Sequence, residues 1–171
     1  MAKYITECKL NYHQSKKAGK IAIVTMDNGQ LFNVPNTWGA EALESLNKVI
    51  DIVEKDADVK GWIMTGKPYI FNVGADIMSV DANAKRADAL EIGTLGHKIF
   101  KRIMGLKFPT LAAINGAAMG GGVEVGPVLH PHHLRGGEAG RRPVAGPGGA
   151  VVVDHHDFEE RLRHEPWQGV L

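Results

Sequence analysis

The chain has 171 residues, 44% of them hydrophobic and 23% charged, with a formal net charge of +1 at pH 7. That describes about one domain with an apolar core, and so small a charge gives no electrostatic footprint for nucleic acid or a membrane surface. One cysteine, Cys8, excludes an internal disulfide; residues 1–20 lack a signal-peptide apolar run and no segment reaches the roughly 20 apolar residues of a membrane span, so a cytoplasmic enzyme or binding domain is expected.

In chain order, residues 3–14 ("KYITECKLNYHQ") and 20–26 ("KIAIVTM") read as two strands of a hairpin around the polar "SKKAG". Residues 39–56 read as an amphipathic helix, with Leu43, Leu46, Ile50 and Val53 on one face and Glu41, Glu44, Lys48 and Lys55 elsewhere. "VKGWIMTG", ending at Gly66, is a short apolar strand. "KPYIFNVGADI", with Pro68 and Gly74, reads as a loop entering a new element. Residues 88–106 form a second helix, its stripe Ile92, Leu95, Ile99, Ile103 and Leu106, weakened at Gly93 and Gly96 by about 1 kcal/mol each relative to Ala. "PTLAAIN" is a third core strand, with Pro109 at its start, and "GAAMGGGVEVG" turns into a helix. The order β-β-α-β-α-β-α implies parallel pairing with right-handed crossovers, an α/β domain whose binding loops lie at the carboxyl ends of the strands.

Two of those ends carry glycine loops, "NVGADI" and "NGAAMGGG". A glycine run opening a helix leaves unpaired N–H groups at its positive end, where they bind an anion or a developing oxyanion. If the Gly121 N–H and an N–H of the "GAD" loop converge, they form a two-donor oxyanion hole. Glu124, a lone acid in an apolar and therefore buried-looking stretch, lies three residues beyond Gly121 and can overhang the same pocket to move a proton. The bland alternative is that the glycines serve close helix–strand packing and Glu124 caps the helix. No nucleotide-loop, zinc or nucleophile-elbow pattern competes. Trp38 and Trp62 read as core, Met26, Met64, Met78, Met104 and Met119 as packing residues, and His13 and His97 as surface or interface groups. Asp76 reads either as catalytic or as the cap of the next helix.

Taken together, "IAIVTMDNG", "PNTWGAEALESLNKVIDIVEKDADVKGWIMTG", "YIFNVGADI" and "PTLAAINGAAMGGGVEVG" resemble the crotonase (enoyl-CoA hydratase/isomerase) superfamily, from about Ile21 to Gly126 and in its order. The resemblance implies an incomplete crotonase-like spiral of ββα units, homotrimers or hexamers, and an acyl-CoA thioester as substrate. It implies no metal and no cofactor beyond the coenzyme A of that substrate. It puts the oxyanion donors on the N–H groups of Ala75 and Gly121, and the first hydratase glutamate on Glu124. Substrate contacts are expected from Trp38, in a segment Pro35–Trp38 at the CoA entrance, from Gly74, Ala75, Asp76 and Ile77, and from Gly120 and Gly121. The implied reaction is hydration of trans-2-enoyl-CoA in fatty-acid degradation. The alternatives are an inactive acyl-CoA-binding fragment or another crotonase reaction: isomerisation, decarboxylation or thioester hydrolysis. The family's second glutamate falls near Val144, in "RRPVAGPGG"; the nearest acid is Glu138, in the wrong surroundings.

That departure coincides with a seam. Residues 1–126 hold 13 Lys and 2 Arg, whereas residues 127–171 hold no Lys, 5 Arg, and 6 of the 8 His. Three readings of 127–171 stand: a flexible Gly/Pro-rich tail, a metal-binding His tract at His130, His132 and His133, or out-of-frame translation of a GC-rich gene. The histidine spacing and Pro131 speak against a helical metal site, and the end of the resemblance at one residue favours the out-of-frame reading.

Overall fold

A computed structural model describes residues 4–77, 86–128 and 151–152. The hairpin is present: β1 (Glu7–Ser15) and β2 (Gly19–Asp27) pair antiparallel without a break from Glu7↔Asp27 to Ser15↔Gly19. Its turn closes because Ser15 Oγ accepts the N–H groups of Lys17 and Ala18, and Gly19 takes a φ of 79°. β1 starts four residues later than the sequence suggests, at Glu7 instead of Lys3. Just before it, the Thr6 hydroxyl accepts the Thr37 N–H at 3.0 Å, tying this segment to the turn before the first helix.

That helix, α1 (Ala40–Lys55), buries Leu43, Leu46, Ile50 and Val53 as its periodicity requires, together with Ala42 and Val49. Fully burying a leucine such as Leu46 contributes about 1.5–3 kcal/mol. The helix stops at Asp56, whose N–H bonds the Val53 carbonyl and whose carboxylate accepts from the Asp58 N–H and from Lys20 Nζ. β3 (Val59–Gly66) then runs parallel to β2. After β4 (Tyr69–Asn72) and α2 (Arg86–Met104), β5 (Thr110–Ile114) pairs parallel to β3. β6 (Gly116–Ala118), α3 (Gly121–Val128) and β7 (Val151–Val152) complete the described elements.

Five strands form one sheet in the order β1-β2-β3-β5-β7, and β4 and β6 form a second, small sheet. The parallel reading therefore holds for β2, β3 and β5. Three further strands, which also pair parallel, lie outside the expected order. The segment read as a loop around Pro68 contains β4, and β6 precedes α3. These short strands exist by pairing with each other across more than forty residues of sequence (Tyr69↔Gly116, Ile70↔Ala117), which no local periodicity reveals. β7 comes from the atypical segment: its valines pair with Ala113 and Ile114 of β5.

The core lies between the large sheet and the two long helices. Val24, Met26, Trp62, Met64 and Ala112 meet the α1 stripe, with Ile99 and Ile103 of α2, Phe71 of β4 and Val125 of α3. Trp38 and Trp62 are buried, in agreement with the sequence. Met104 and Met119 are exposed rather than packed, because α2 presents Ile99 and Ile103 to the core and Met119 tops the glycine turn; Leu95 lies at the solvent rim of its stripe. Met78 falls outside the described residues. α1 and α2 are also tied at the surface by Arg102, which bonds Asp51 and Glu54 at 2.7 Å each and Asn47.

Candidate active site

The site is built where the small sheet meets the N-terminus of α3. Asn72, fully buried at the end of β4, is its organiser. Its side-chain oxygen accepts the Gly74 N–H at 2.8 Å, and its carbonyl accepts the Met119 N–H at 3.0 Å. One asparagine thus shapes both glycine loops. A second buried asparagine, Asn36, donates to the carbonyls of Met26 and Phe71 and accepts the Val73 N–H on its own carbonyl. A third, Asn115, bonds the Gly66 N–H and the Gly66 and Lys67 carbonyls. Sequence reasoning assigned no role to these amides; for Asn72 and Asn115, each opening a glycine loop, that placement was the available signal.

The two loops touch. Gly74 has a φ of 95°, and a Cβ there would lie 3.0 Å from the Met119 carbonyl oxygen and 3.1 Å from the Gly121 nitrogen. Only glycine lets the "GAD" backbone approach the α3 N-terminus so closely. The α3 side is as tight, since a Cβ on Gly122 would sit 1.9 Å from the Asn72 carbonyl oxygen. The expectation that these glycines permit close packing therefore holds alongside the functional one; the two are not exclusive.

Both proposed donors belong to these touching segments. Trp38 bridges to the neighbours of Ala75, donating its N–H to the Gly74 carbonyl at 2.7 Å and accepting the Asp76 N–H at 2.9 Å. In such a parallel bridge the N–H of the residue between, Ala75, turns to the other side. Among the described residues it donates to no acceptor, and neither does the Gly121 N–H, while Gly122, Val123 and Glu124 donate to Met119 or Gly120. The Ala75 nitrogen is two bonds from the Gly74 Cα, which lies 3.8 Å from a Cβ on Gly121.

The other assigned residues fall as follows. Gly120 (φ 48°) turns the chain into α3. Ile77 is 76% exposed beyond Ala75. Trp38 approaches the site with its backbone and one indole edge, its Cδ1 lying 3.4 Å from the Cβ position of Gly121, while its ring packs edge-on against Phe100 in the core. Asp76 lies ten residues ahead of the next described helix, which runs from Arg86, and its side chain stands beside Gly39, at the N-terminus of α1. Glu124 is in the first turn of α3, but exposed rather than buried. α3 turns Gly122 and Val125, three apart, toward β4 and β5, which puts Val123 and Glu124 on the outward face. Glu138, Val144 and the three clustered histidines lie outside the described residues.

Comparison with known proteins assigns the chain to a family. The family described as "Enoyl-CoA hydratase/isomerase" matches residues 16–128. The fatty acid oxidation complex subunit alpha of Shewanella loihica is 38% identical over 112 residues, 64% of this chain and 15% of that protein. The short-chain-enoyl-CoA hydratase of Clostridium acetobutylicum is 35% identical over 118 residues, 68% of this chain and 44% of that protein. An enoyl-CoA hydratase structure from Bacillus anthracis superposes with a TM-score of 0.62 over 72% of this chain and 45% of that one, at 21% identity, which speaks to the fold. The chain thus spans less than half the length of these relatives. The match runs through both glycine loops and ends two residues past Gly126, and the chain belongs to the enoyl-CoA hydratase/isomerase family.

Proposed function

We propose that this chain carries the thioester site of an enoyl-CoA hydratase. The N–H groups of Ala75 and Gly121 hold the thioester oxygen of a trans-2-enoyl-CoA, which enters past Pro35–Trp38. Glu124, exposed in the first turn of α3 three residues beyond Gly121, orients the water and takes one of its protons as the water oxygen bonds C3; a proton from solvent reaches C2 on the same face, and Glu124 returns its own to solvent. Charge grows on the thioester oxygen in that step, so the two donors act on the transition state, and one such donor is worth about 2.7–4 kcal/mol. The carboxylate contributes about 100- to 10,000-fold. The scheme uses no metal or redox cofactor. The observation that carries this reading is the contact of two glycine loops, each with an N–H that donates to nothing among the described residues. The printed names of the relatives support the same reaction and a setting in fatty-acid oxidation. A cytoplasmic location and assembly as a homotrimer or hexamer belong to the same proposal.

Incubation with crotonyl-CoA, following loss of the enoyl absorbance, tests it together with calorimetric titration of the thioester. We expect binding with weak or no turnover, because the position of the family's second glutamate, near Val144, holds no acid. Glu124→Gln should abolish what turnover there is. Absence of any thioester binding would sink the proposal. The second reading, acyl-CoA binding without catalysis, is favoured by the lack of an acid near Val144, where the family's second glutamate falls; binding with no turnover, unaltered by Glu124→Gln, would select it.

A further inference from the structure

Lys67, in the turn between β3 and β4, is 4% exposed. Its ammonium donates to Asn28 Oδ1 and to the carbonyls of Gln30 (2.9 Å), Leu31 (3.1 Å) and Val34 (2.6 Å). Four acceptors for three N–H groups mean that one bond is shared. None of the acceptors is a carboxylate. Asp27, the nearby negative charge, is itself engaged by Lys9 and the Gly29 N–H. Burial pushes the Lys67 ammonium below the usual lysine range, with Asp27 pulling the other way. A buried charge is costly unless hydrogen-bonded, and here the hydrogen bonds converge on one surface loop, residues 28–35.

What that loop leads into explains the arrangement. It runs directly to Asn36, whose carbonyl takes the Val73 N–H, and to Trp38, which brackets Ala75 through Gly74 and Asp76. The Lys67 backbone joins the other loop: its N–H donates to Met26, and its carbonyl accepts from Asn115, the residue immediately before β6, which leads to Met119. We propose that Lys67 is a positioning residue for the Ala75 donor, holding residues 28–35 through its ammonium and thereby fixing the ladder from Asn36–Trp38 to Val73–Asp76 that aims the Ala75 N–H. The task of that N–H rests on the hydratase reading; the mechanical link does not.

Amide hydrogen exchange of the full chain and of Lys67→Met tests the link without any ligand. The Trp38, Val73 and Asp76 amides should exchange about tenfold faster in the variant, the size of one lost hydrogen bond. Amides of the β1–β2 hairpin should stay within about twofold, which separates loosening of the ladder from general destabilisation. Unchanged exchange at Trp38, Val73 and Asp76 would overturn the proposal. Should Lys67→Met not fold, Lys67→Gln, whose amide keeps two donors, is read in the same way and against the same result. A second arm uses hexadienoyl-CoA as probe. Polarisation by the oxyanion donors shifts the dienoyl absorbance to the red, and Lys67→Met should diminish that shift at saturating probe. An undiminished shift would overturn the positioning of Ala75. If neither protein binds the probe, the hydratase reading fails and the exchange arm still decides the role of Lys67.

Discussion

At the residue scale, Cys8 and Gly74 make the sharpest statements. Cys8 is buried on β1, and desolvation of its thiolate pushes the thiol up to about 12. Between the ordinary thiol value of about 9 and 12, the unfolded chain ionises while the folded chain keeps its proton. Stability should therefore fall as pH rises through that window, by up to about 1.4 kcal/mol per pH unit. Urea unfolding of the chain and of Cys8→Ala across this range should give curves that diverge, with the shallower loss in Cys8→Ala. The same burial predicts that Cys8 resists thiol reagents until the protein unfolds. Gly74→Ala forces a left-handed φ on an L side chain, at about 1–2 kcal/mol, and thrusts a methyl at the Gly121 nitrogen. It should lower the urea midpoint and abolish thioester binding in calorimetry, whereas Gly19→Ala, also at positive φ but in the hairpin turn against only the Lys60 side chain, should only lower the midpoint.

At the element scale, the long helices were legible and the short strands were not. The α1 stripe is buried residue for residue, and α2 departs only at Leu95, because 3.6-residue periodicity over four turns is a strong signal. β4 and β6 carry no such signal, being four and three residues long and defined by one another. α3 shows a different limit. Its glycines and Glu124 were legible as a helix start, but which face it buries depends on where β4 lies, and that left Glu124 outward. The docking of this helix is correspondingly sensitive. Gly122→Ala places a methyl on the Asn72 carbonyl and should cost at least about 1–3 kcal/mol, read by thermal unfolding. Arg102→Met should cost about 1 kcal/mol or less, and less again in high salt, since its partners Asp51 and Glu54 are well exposed.

At the scale of the whole molecule, the described part buries one continuous core yet leaves Ile77, Met119 and Val123 exposed around the site. No helix among the described residues is long and apolar enough to cross a membrane. Residues 127–171, apart from α3's last two and β7, lie outside the described residues, so their reading is still carried by composition. Sequencing the gene and translating the nucleotides after codon 126 in all three frames should reveal family sequence, including a Pro-Glu pair near position 144, in a frame other than the present one. Its absence from every frame would leave the segment as an ordinary tail.

The sequence by itself determined the hairpin, the two long helices, the parallel strands β3 and β5, the α1 stripe, the buried tryptophans and the two glycine loops, because each is written in periodicity or in glycine chemistry within a few residues. Only the tertiary structure decided that those loops touch, that Asn72 and Asn36 shape them, that Lys67 is buried under a surface loop and that Glu124 faces outward. Those outcomes depend on contacts between segments thirty to fifty residues apart. Local pattern holds no information on how closely two such backbones approach, and here that distance is set by the absence of a Cβ on Gly74 and Gly122.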